Sequence, residues 1–220
     1  MKRSGRNLLF IGAGALIAFV LWTILLRTVD VMTIGAGGTS VGFATVNQWF
    51  HWLTGTNMWL YTVTDWLGLV PIGTAFCFAL LGLIQWIKRK NPLKVDRSIL
   101  VLGVFYIAVI GVYMLFEEVV INYRPILING IAEASYPSST TLLTMCVMPT
   151  AIMQLSERIK QKHIRLGVSY GIALFTTFMV IGRLISGVHW ITDIIGGALL
   201  STGLVMMYAY FSGRGEKEKA

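Results

Sequence analysis

The chain has 220 residues, of which 55% are hydrophobic and only 13% are charged. A water-soluble domain carries roughly a quarter charged residues, so the composition excludes an ordinary soluble protein and indicates an integral membrane protein. The length suits one domain over residues 1–220. The formal net charge of +8 can indicate a binding partner only when the positions of the basic residues are considered.

Six stretches predict membrane-spanning helices, because a helix needs about 20 mainly apolar residues to cross the hydrocarbon core. In chain order they cover residues 8–26, 66–86, 99–120, 141–155, 166–181 and 191–211. The fourth and fifth stretches are short. The predicted fold is therefore an all-α bundle of six transmembrane helices.

The segment between the first two spans, residues 28–65, is too long for a simple turn. Trp49, Trp52, Trp59 and Tyr61 have amphipathic rings that suit the lipid headgroup zone. We therefore expect an interfacial helix in this first outer loop. Its simplest role is anchoring, and the functional alternative is a lid or a lipid entrance.

The basic residues fall mainly on one side of the predicted membrane. This group contains Lys2, Arg3, Arg6, Lys88, Arg89, Lys90, Lys94, Arg97, Arg158, Lys160, Lys162, Arg165, Arg214, Lys217 and Lys219. The positive-inside rule makes this side cytoplasmic and places both termini there, in a multi-pass protein of the plasma (cytoplasmic) membrane. Because these are short loop clusters beside membrane helices, they exclude nucleic acid as a partner.

Ionisable side chains near membrane depth are costly, so they indicate function. Here they cluster on the predicted outer side, where three loops should converge just above the bilayer. The cluster contains Glu117, Glu118, Arg124, Glu133, Arg183, His189 and Asp193.

His189 and Asp193 lie four residues apart, which places both on one face of a helix's first turn. A carboxylate bonded to one imidazole nitrogen fixes the tautomer and leaves the other nitrogen free to attack. Arg124 and Arg183 would supply planar charged groups, which suit phosphate oxygens. The simpler interpretation of a lone Arg or His is an interfacial residue that extends to the headgroups.

Ser138, Ser139 and Thr140 lead into the fourth span. Their hydroxyls and the free N–H groups of a helix start would bind an anion, although ordinary helix capping is the better explanation for such a run on its own. Three such features on one face favour a phosphate site.

Three motifs in this region resemble those of the type 2 phosphatidic acid phosphatases. They are Tyr123-Arg124-Pro125, Pro137-Ser138-Ser139-Thr140, and Gly182-Arg183-x5-His189-x3-Asp193. The family reads Lys-x6-Arg-Pro, Pro-Ser-Gly-His and Ser-Arg-x5-His-x3-Asp, in a six-helix fold whose site faces outward. The resemblance covers the last five predicted helices, and the third motif is specific in both spacing and residue type.

The resemblance implies a metal-independent membrane enzyme, without a cofactor, that removes phosphate from lipid phosphates or pyrophosphates among the membrane lipids. It implies His189 as the nucleophile that forms a phosphohistidine and Asp193 as its orienting partner. The phosphate oxygens would be held by Arg124, Arg183, Ser138, Ser139 and Thr140. Water or an alcohol would then accept the phosphoryl group.

Three departures from the family pattern bear on the chemistry: Glu117 replaces the lysine, Thr140 replaces the acid histidine, and Gly182 replaces a serine. Threonine cannot protonate a leaving alcohol, and general-acid catalysis is typically worth about 10²–10⁴-fold. The candidate substitute acids are Glu117, Glu118 and Glu133, with His51 as a weaker candidate. His163 is excluded because it lies on the cytoplasmic side.

A pyrophosphate substrate needs less help from an acid, because its leaving phosphate has a last pKa of about 6. This argument favours prenyl pyrophosphates over phosphatidic acid. The alternative is a catalytically impaired protein that binds or scrambles phospholipids, which the loss of two motif residues supports and the retained His189 and Asp193 oppose. A transporter or channel is disfavoured, because no ionisable residue lies near the middle of a predicted span.

Overall fold

The computed structural model describes residues 3–214, and within them the regular structure is helical, with only isolated β-bridges in the loops. This confirms the all-α prediction. The helices of the described residues are α1 (Arg3–Thr28), α2 (Ala44–Thr54), α3 (Met58–Leu67), α4 (Leu69–Arg89), α5 (Arg97–Glu118), α6 (Ser139–Arg158), α7 (Lys162–Ile185) and α8 (Ile191–Phe211). Short 3-10 turns at Ala36–Gly38 and Pro92–Lys94 lie in two of the loops.

Five segments of the described chain are long and apolar enough to cross a membrane. They are Gly5–Thr28, Met58–Arg89, Arg97–Glu118, Lys162–Ile185 and Ile191–Phe211. The second of these combines α3 and α4, which only Gly68 separates. The chain is therefore a multi-pass helical membrane protein.

The helix α6 corresponds to the fourth predicted span, and it is the one without a strongly apolar composition. It packs against α4, α5, α7 and α8, and its Thr144, Thr150 and Gln154 are buried. The Gln154 amide donates to the carbonyl of Ser98 and to the hydroxyl of Tyr208. These polar groups are buried against neighbouring helices. The helix α6 therefore fits in the bundle although its composition is not strongly apolar.

The packing of Tyr136 anchors the loop before α6 to the bundle. Its ring stacks on Phe19 at 6.0 Å between centroids, and its hydroxyl shares a 2.7 Å hydrogen bond with Thr23. The other side of the ring lies on Gly196, where an added Cβ would be only 2.2 Å from Tyr136 Cε2. This close approach fixes the position of the residues on either side of Tyr136.

The helix ends opposite this loop carry the basic clusters. Arg89 pairs with Asp96 at 2.8 Å, and Arg214 pairs with Glu157 at 3.3 Å. Three members of the predicted cytoplasmic group, Lys2, Lys217 and Lys219, lie outside the described residues.

Residues 28–65, where the sequence predicted one interfacial helix, contain α2 and most of α3. Trp49 and Trp52 are exposed on α2, and Trp59 is exposed on α3. The buried Asn47 of α2 is hydrogen-bonded to the Thr192 hydroxyl at the start of α8. The loop is therefore docked on the bundle, and the interfacial position of α2 stays a prediction.

The contact between Gly196 and Tyr136 predicts a local loss of stability on substitution. Gly196→Ala should lower the free energy of unfolding by about 1–3 kcal/mol, because the added methyl overpacks the Tyr136 ring. The measurement is thermal unfolding in detergent, with Gly171→Ala as the control, because nothing lies within 4 Å of a Cβ at Gly171. Equal melting temperatures for the two variants would contradict the packing.

Candidate active site

His189 lies in the short loop between α7 and α8 and is only 3% exposed. Its Nδ1 is 3.0 Å from the Ser135 hydroxyl and 3.2 Å from the Ser135 carbonyl oxygen. Its Nε2 is buried and has no hydrogen-bond partner. One nitrogen of the imidazole is thus held, and the other is available.

Asp193 is fully buried in the first turn of α8. One carboxylate oxygen accepts from the Trp190 backbone N–H at 2.9 Å and from the Ser135 hydroxyl at 2.5 Å, and the other accepts from the Asn122 amide at 3.4 Å. The distance from His189 Nδ1 to Asp193 Oδ2 is 3.8 Å, too long for a hydrogen bond. The predicted i,i+4 neighbours are therefore close, but Ser135 stands between them.

The hydrogen bonds determine the tautomer of His189. The Ser135 carbonyl can only accept, so Nδ1 carries the proton and Nε2 presents a lone pair. Burial is the main cause that lowers the pKa of His189 from its ordinary value to about 4; Asp193 opposes this shift, while the charges of Arg124 and Arg183 add to it. The imidazole is therefore neutral at physiological pH and can act as a nucleophile.

Arg183, at the end of α7, is 1% exposed, and residues of α3 hold its guanidinium group. It donates to the Tyr61 carbonyl at 3.3 Å, to the Thr64 hydroxyl at 3.2 Å and to Asp65 at 3.2 Å. Its Cζ also lies 4.5 Å from the centroid of the Tyr61 ring. Helix α3 thus positions Arg183, which goes beyond the anchoring role expected for the first outer loop.

Arg124 approaches the same Tyr61 ring. Its Cζ is 5.6 Å from the Tyr61 ring centroid, and it donates to the Tyr61 hydroxyl at 3.4 Å. It also pairs with Glu133 at 3.1 Å. The Nε atoms of Arg124 and Arg183 are both buried without a partner. Two guanidinium groups therefore share one aromatic side chain, and each retains a free donor.

Gly182 allows α3 to approach α7 closely. An added Cβ would lie 2.9 Å from Thr64 Cγ2, in the residue whose hydroxyl holds Arg183. A serine at this position, as in the family pattern, would push Thr64 away. This departure from the pattern is thus linked to the way α3 binds Arg183.

The three hydroxyl residues at the start of α6 differ in their surroundings. Ser138 is buried and caps the helix, accepting from the Thr141 hydroxyl at 3.1 Å, and its N–H donates to the Asp193 carbonyl at 3.2 Å. Ser139 lines a polar cavity that Arg124 also lines, whereas Thr140 lines an apolar cleft. Thr140 therefore faces away from the polar side of the site.

The polar cavity has a volume of about 460 Å³ and is lined by Tyr113, Glu117, Tyr123, Arg124, Glu133 and Ser139, with three apolar residues. The apolar cleft, of about 1000 Å³, lies between α4, α5 and α6, and its outer end is lined by Asp65, Tyr113, Ser139 and Thr140. The two spaces share Tyr113 and Ser139 as lining residues. His189 and Arg183 line neither space, so this conformation is closed around the imidazole.

The candidate acids lie in different places. Glu117 and Glu133 line the polar cavity, whereas Glu118 is exposed and lines neither space. His51 packs edge-on against Trp190 at 5.7 Å, and burial lowers its pKa. His163 is exposed in the first turn of α7, at the other end of that helix from Arg183.

Residues 117–216 match the family model of the PAP2 superfamily, and this range contains all three motifs. Over these residues the match confirms the resemblance to the PAP2-type phosphatases that the motifs indicated. Its fold is similar to the crystal structure of a transmembrane PAP2-type phosphatidylglycerolphosphate phosphatase from Bacillus subtilis, with a TM-score of 0.61 and 18% identity over 96% of this chain and 97% of that chain. No curated protein matches the chain in sequence.

Two contributors to the site were not found from the sequence. Ser135 lies just before the second motif, where a single loop serine carries no specific signal. Tyr61 was recognised only as an interfacial aromatic residue. Its contact with two arginines depends on the docking of α3, which no local pattern predicts.

The tautomer of His189 can be measured directly, since the chain has only three histidines. With ¹⁵N-labelled histidine, NMR in detergent should show a protonated Nδ1 and an unprotonated Nε2 for His189. The ring should stay neutral at pH 5, because its pKa of about 4 lies below that pH, whereas an ordinary imidazole has a pKa of about 6.5. Assignment by single substitution of His51 and His163 is the control, and a His189 ring protonated at pH 5.5 would contradict the assignment.

Proposed function

We propose that the chain is a metal-independent phosphatase or phosphotransferase that acts on a lipid phosphate or pyrophosphate through a phosphohistidine at His189. The observation that carries this proposal is the buried, unpartnered Nε2 of His189, whose opposite nitrogen is held by Ser135. A neutral imidazole with one fixed nitrogen is a prepared nucleophile. A merely structural histidine would be expected to have both nitrogens satisfied.

The two arginines supply the charge that a phosphoryl group requires. Arg124 and Arg183 flank Tyr61, and each has a buried Nε without a partner. Guanidinium groups bind phosphate oxygens through paired N–H donors and stabilise the charge of the transition state. With Ser138 and Ser139 at the start of α6, they form the proposed phosphate site.

In the proposed reaction, Nε2 of His189 attacks phosphorus while the bond from phosphorus to the bridging oxygen breaks. The leaving group takes the bonding electrons, as a lipid monophosphate from a pyrophosphate or, from a phosphomonoester, as an alkoxide that takes a proton from a substitute acid such as Glu117 or Glu133. Water then attacks the phosphohistidine, which releases inorganic phosphate and restores the neutral imidazole. An alcohol in place of water would make the enzyme a phosphotransferase.

The character of the leaving group favours a prenyl pyrophosphate. Thr140 lines the apolar cleft and cannot donate a proton as an acid. A leaving phosphate has a last pKa of about 6 and so departs without help, whereas an alcohol needs a proton. The cleft of about 1000 Å³ beside the polar cavity would accommodate the hydrocarbon part of such a substrate.

We place the site on the extracytoplasmic side and count α6 as a sixth membrane-spanning helix. Ser139 of α6 lies beside the proposed site, and Arg158 at its other end belongs to the basic group. A helix with its ends at opposite sides of the bundle crosses the same thickness as its neighbours. The positive-inside rule then orients the basic end to the cytoplasm, together with both termini.

The central test is phosphate release by the purified protein from a prenyl pyrophosphate, phosphatidic acid and phosphatidylglycerophosphate. His189→Ala should reduce release by on the order of 10³-fold or more, because it removes the nucleophile. It should also abolish an acid-labile ³²P label on the protein. The matched control is His163→Ala, which removes an exposed histidine at the other end of α7. Equal release by wild type and His189→Ala would eliminate the enzymatic proposal.

A second candidate function is binding of a phospholipid headgroup without turnover. The residues Glu117 and Thr140 favour it, because they replace the lysine and the acid histidine that would assist turnover. Headgroup binding by wild type without phosphate release from any of the three substrates would select this function.

Glu133 either competes with phosphate for Arg124 or acts as the substitute acid, and one variant distinguishes these roles. If Glu133 competes, Glu133→Gln should lower KM roughly two- to fivefold at unchanged kcat, because a partly exposed ion pair is worth up to about 1 kcal/mol. Steady-state kinetics on the best substrate measures this. Glu118→Gln is the control, since Glu118 is exposed and lines neither space. A lower kcat for Glu133→Gln would instead make Glu133 the acid.

A further inference from the structure

Ser135 occupies a position that the three sequence motifs do not include. It lies in the loop between α5 and α6 and is 2% exposed. Its N–H donates to the Asn122 carbonyl at 2.9 Å, and the neighbouring residues Tyr123 and Ala134 form an antiparallel bridge. The packing of Tyr136 on Gly196 fixes the chain on the other side. The Ser135 side chain is thus presented from a rigid backbone.

The donors and acceptors around Ser135 leave one arrangement. Its hydroxyl has a single proton, which is donated to Asp193 Oδ2 at 2.5 Å. The same oxygen must therefore accept from His189 Nδ1 at 3.0 Å. Because Nδ1 and Oδ2 are 3.8 Å apart, Asp193 has no direct hydrogen bond to the imidazole. The carboxylate is connected to the nucleophile through the serine.

We propose that Ser135 is a positioning residue for the nucleophile: its hydroxyl transmits the effect of the Asp193 carboxylate to Nδ1 of His189. This inference rests on the proposed function in assuming that His189 is the nucleophile. The bond to the carboxylate polarises the serine O–H group and makes its oxygen a better acceptor. As His189 attacks, positive charge develops on the ring, and the hydrogen bond from Nδ1–H to Ser135 strengthens.

The loss of this hydroxyl should affect the reaction more than the binding of substrate. Ser135 contacts the imidazole and the carboxylate, and no hydrogen bond joins it to either phosphate-binding arginine. Without the hydroxyl, Nδ1 keeps only the Ser135 carbonyl at 3.2 Å, and Asp193 loses its shortest hydrogen bond. The ring would be less firmly oriented and less stabilised as charge develops on it.

The experiment compares Ser135→Ala, Ser135→Thr and Asp193→Asn, with Ser201→Ala as the matched control. Ser201 is a buried serine on the same helix as Asp193, and its hydroxyl donates to the Gly197 carbonyl, two turns from the site. Ser135→Ala should lower kcat roughly 10- to 100-fold, as is typical when a group that orients a reactive imidazole is removed, with KM changed less than about twofold. Ser135→Thr, which keeps the hydroxyl, should recover part of kcat, and Ser201→Ala should leave it unchanged.

A double-mutant cycle tests the connection itself. If Asp193 acts through Ser135, the double variant Ser135→Ala/Asp193→Asn should be no slower than the slower single variant. Independent, multiplicative losses would overturn the proposal.

NMR with ¹⁵N-labelled histidine provides a measurement that does not need turnover. In Ser135→Ala, the Nδ1 proton keeps only the backbone carbonyl as acceptor, so its ¹H resonance should move upfield as its hydrogen bonding weakens. An unchanged Nδ1–H resonance would overturn the positioning role, even if the protein folds and turns over. If the wild type releases no phosphate, the enzymatic proposal fails, and this measurement alone still decides whether Ser135 fixes the imidazole.

Discussion

The burial of two guanidinium groups around one tyrosine ring is the constraint on which the candidate site depends. Arg124 and Arg183 repel each other, and burial removes the water that would screen them. The structure offsets this cost with the Tyr61 ring and with two carboxylates, Asp65 and Glu133, one for each arginine. These two carboxylates balance the formal charge of the two guanidinium groups, while the positive charges of Arg124 and Arg183 contribute to the neutral state of His189.

The closed site around His189 is accompanied by a carboxylate, Glu133, on Arg124. With Glu133 on Arg124, the imidazole opens to neither the polar cavity nor the apolar cleft. An anion that replaced Glu133 would meet the Arg124 guanidinium group in the polar cavity. A glutamate at position 117, in place of the family's lysine, adds to the acidic character of this entrance.

Much of this arrangement could be predicted from the sequence, because it depends on spacing and composition. The apolar stretches predicted the helical fold, and the third motif predicted that His189 and Asp193 lie close together, although His189 precedes the first turn of α8. The sequence could not give the number of apolar spans, because α6 buries its threonines and Gln154 within protein. Nor could it give Ser135 between His189 and Asp193, since that contact is made by a loop distant in the chain from α8. The second helix of the outer loop was missed because it runs almost directly into α4.

The near-continuity of α3 and α4 has a mechanical consequence. Only Gly68 separates them, in a helical conformation, so the two helices form one rod. Its outer part holds Arg183 through Tyr61, Thr64 and Asp65, and its inner part forms a wall of the apolar cleft. A hydrocarbon chain that spreads the cleft must therefore either bend the rod at Gly68 or shift the groups that hold the arginine. Occupation of the apolar cleft would in this way be coupled to the position of the Arg183 guanidinium group.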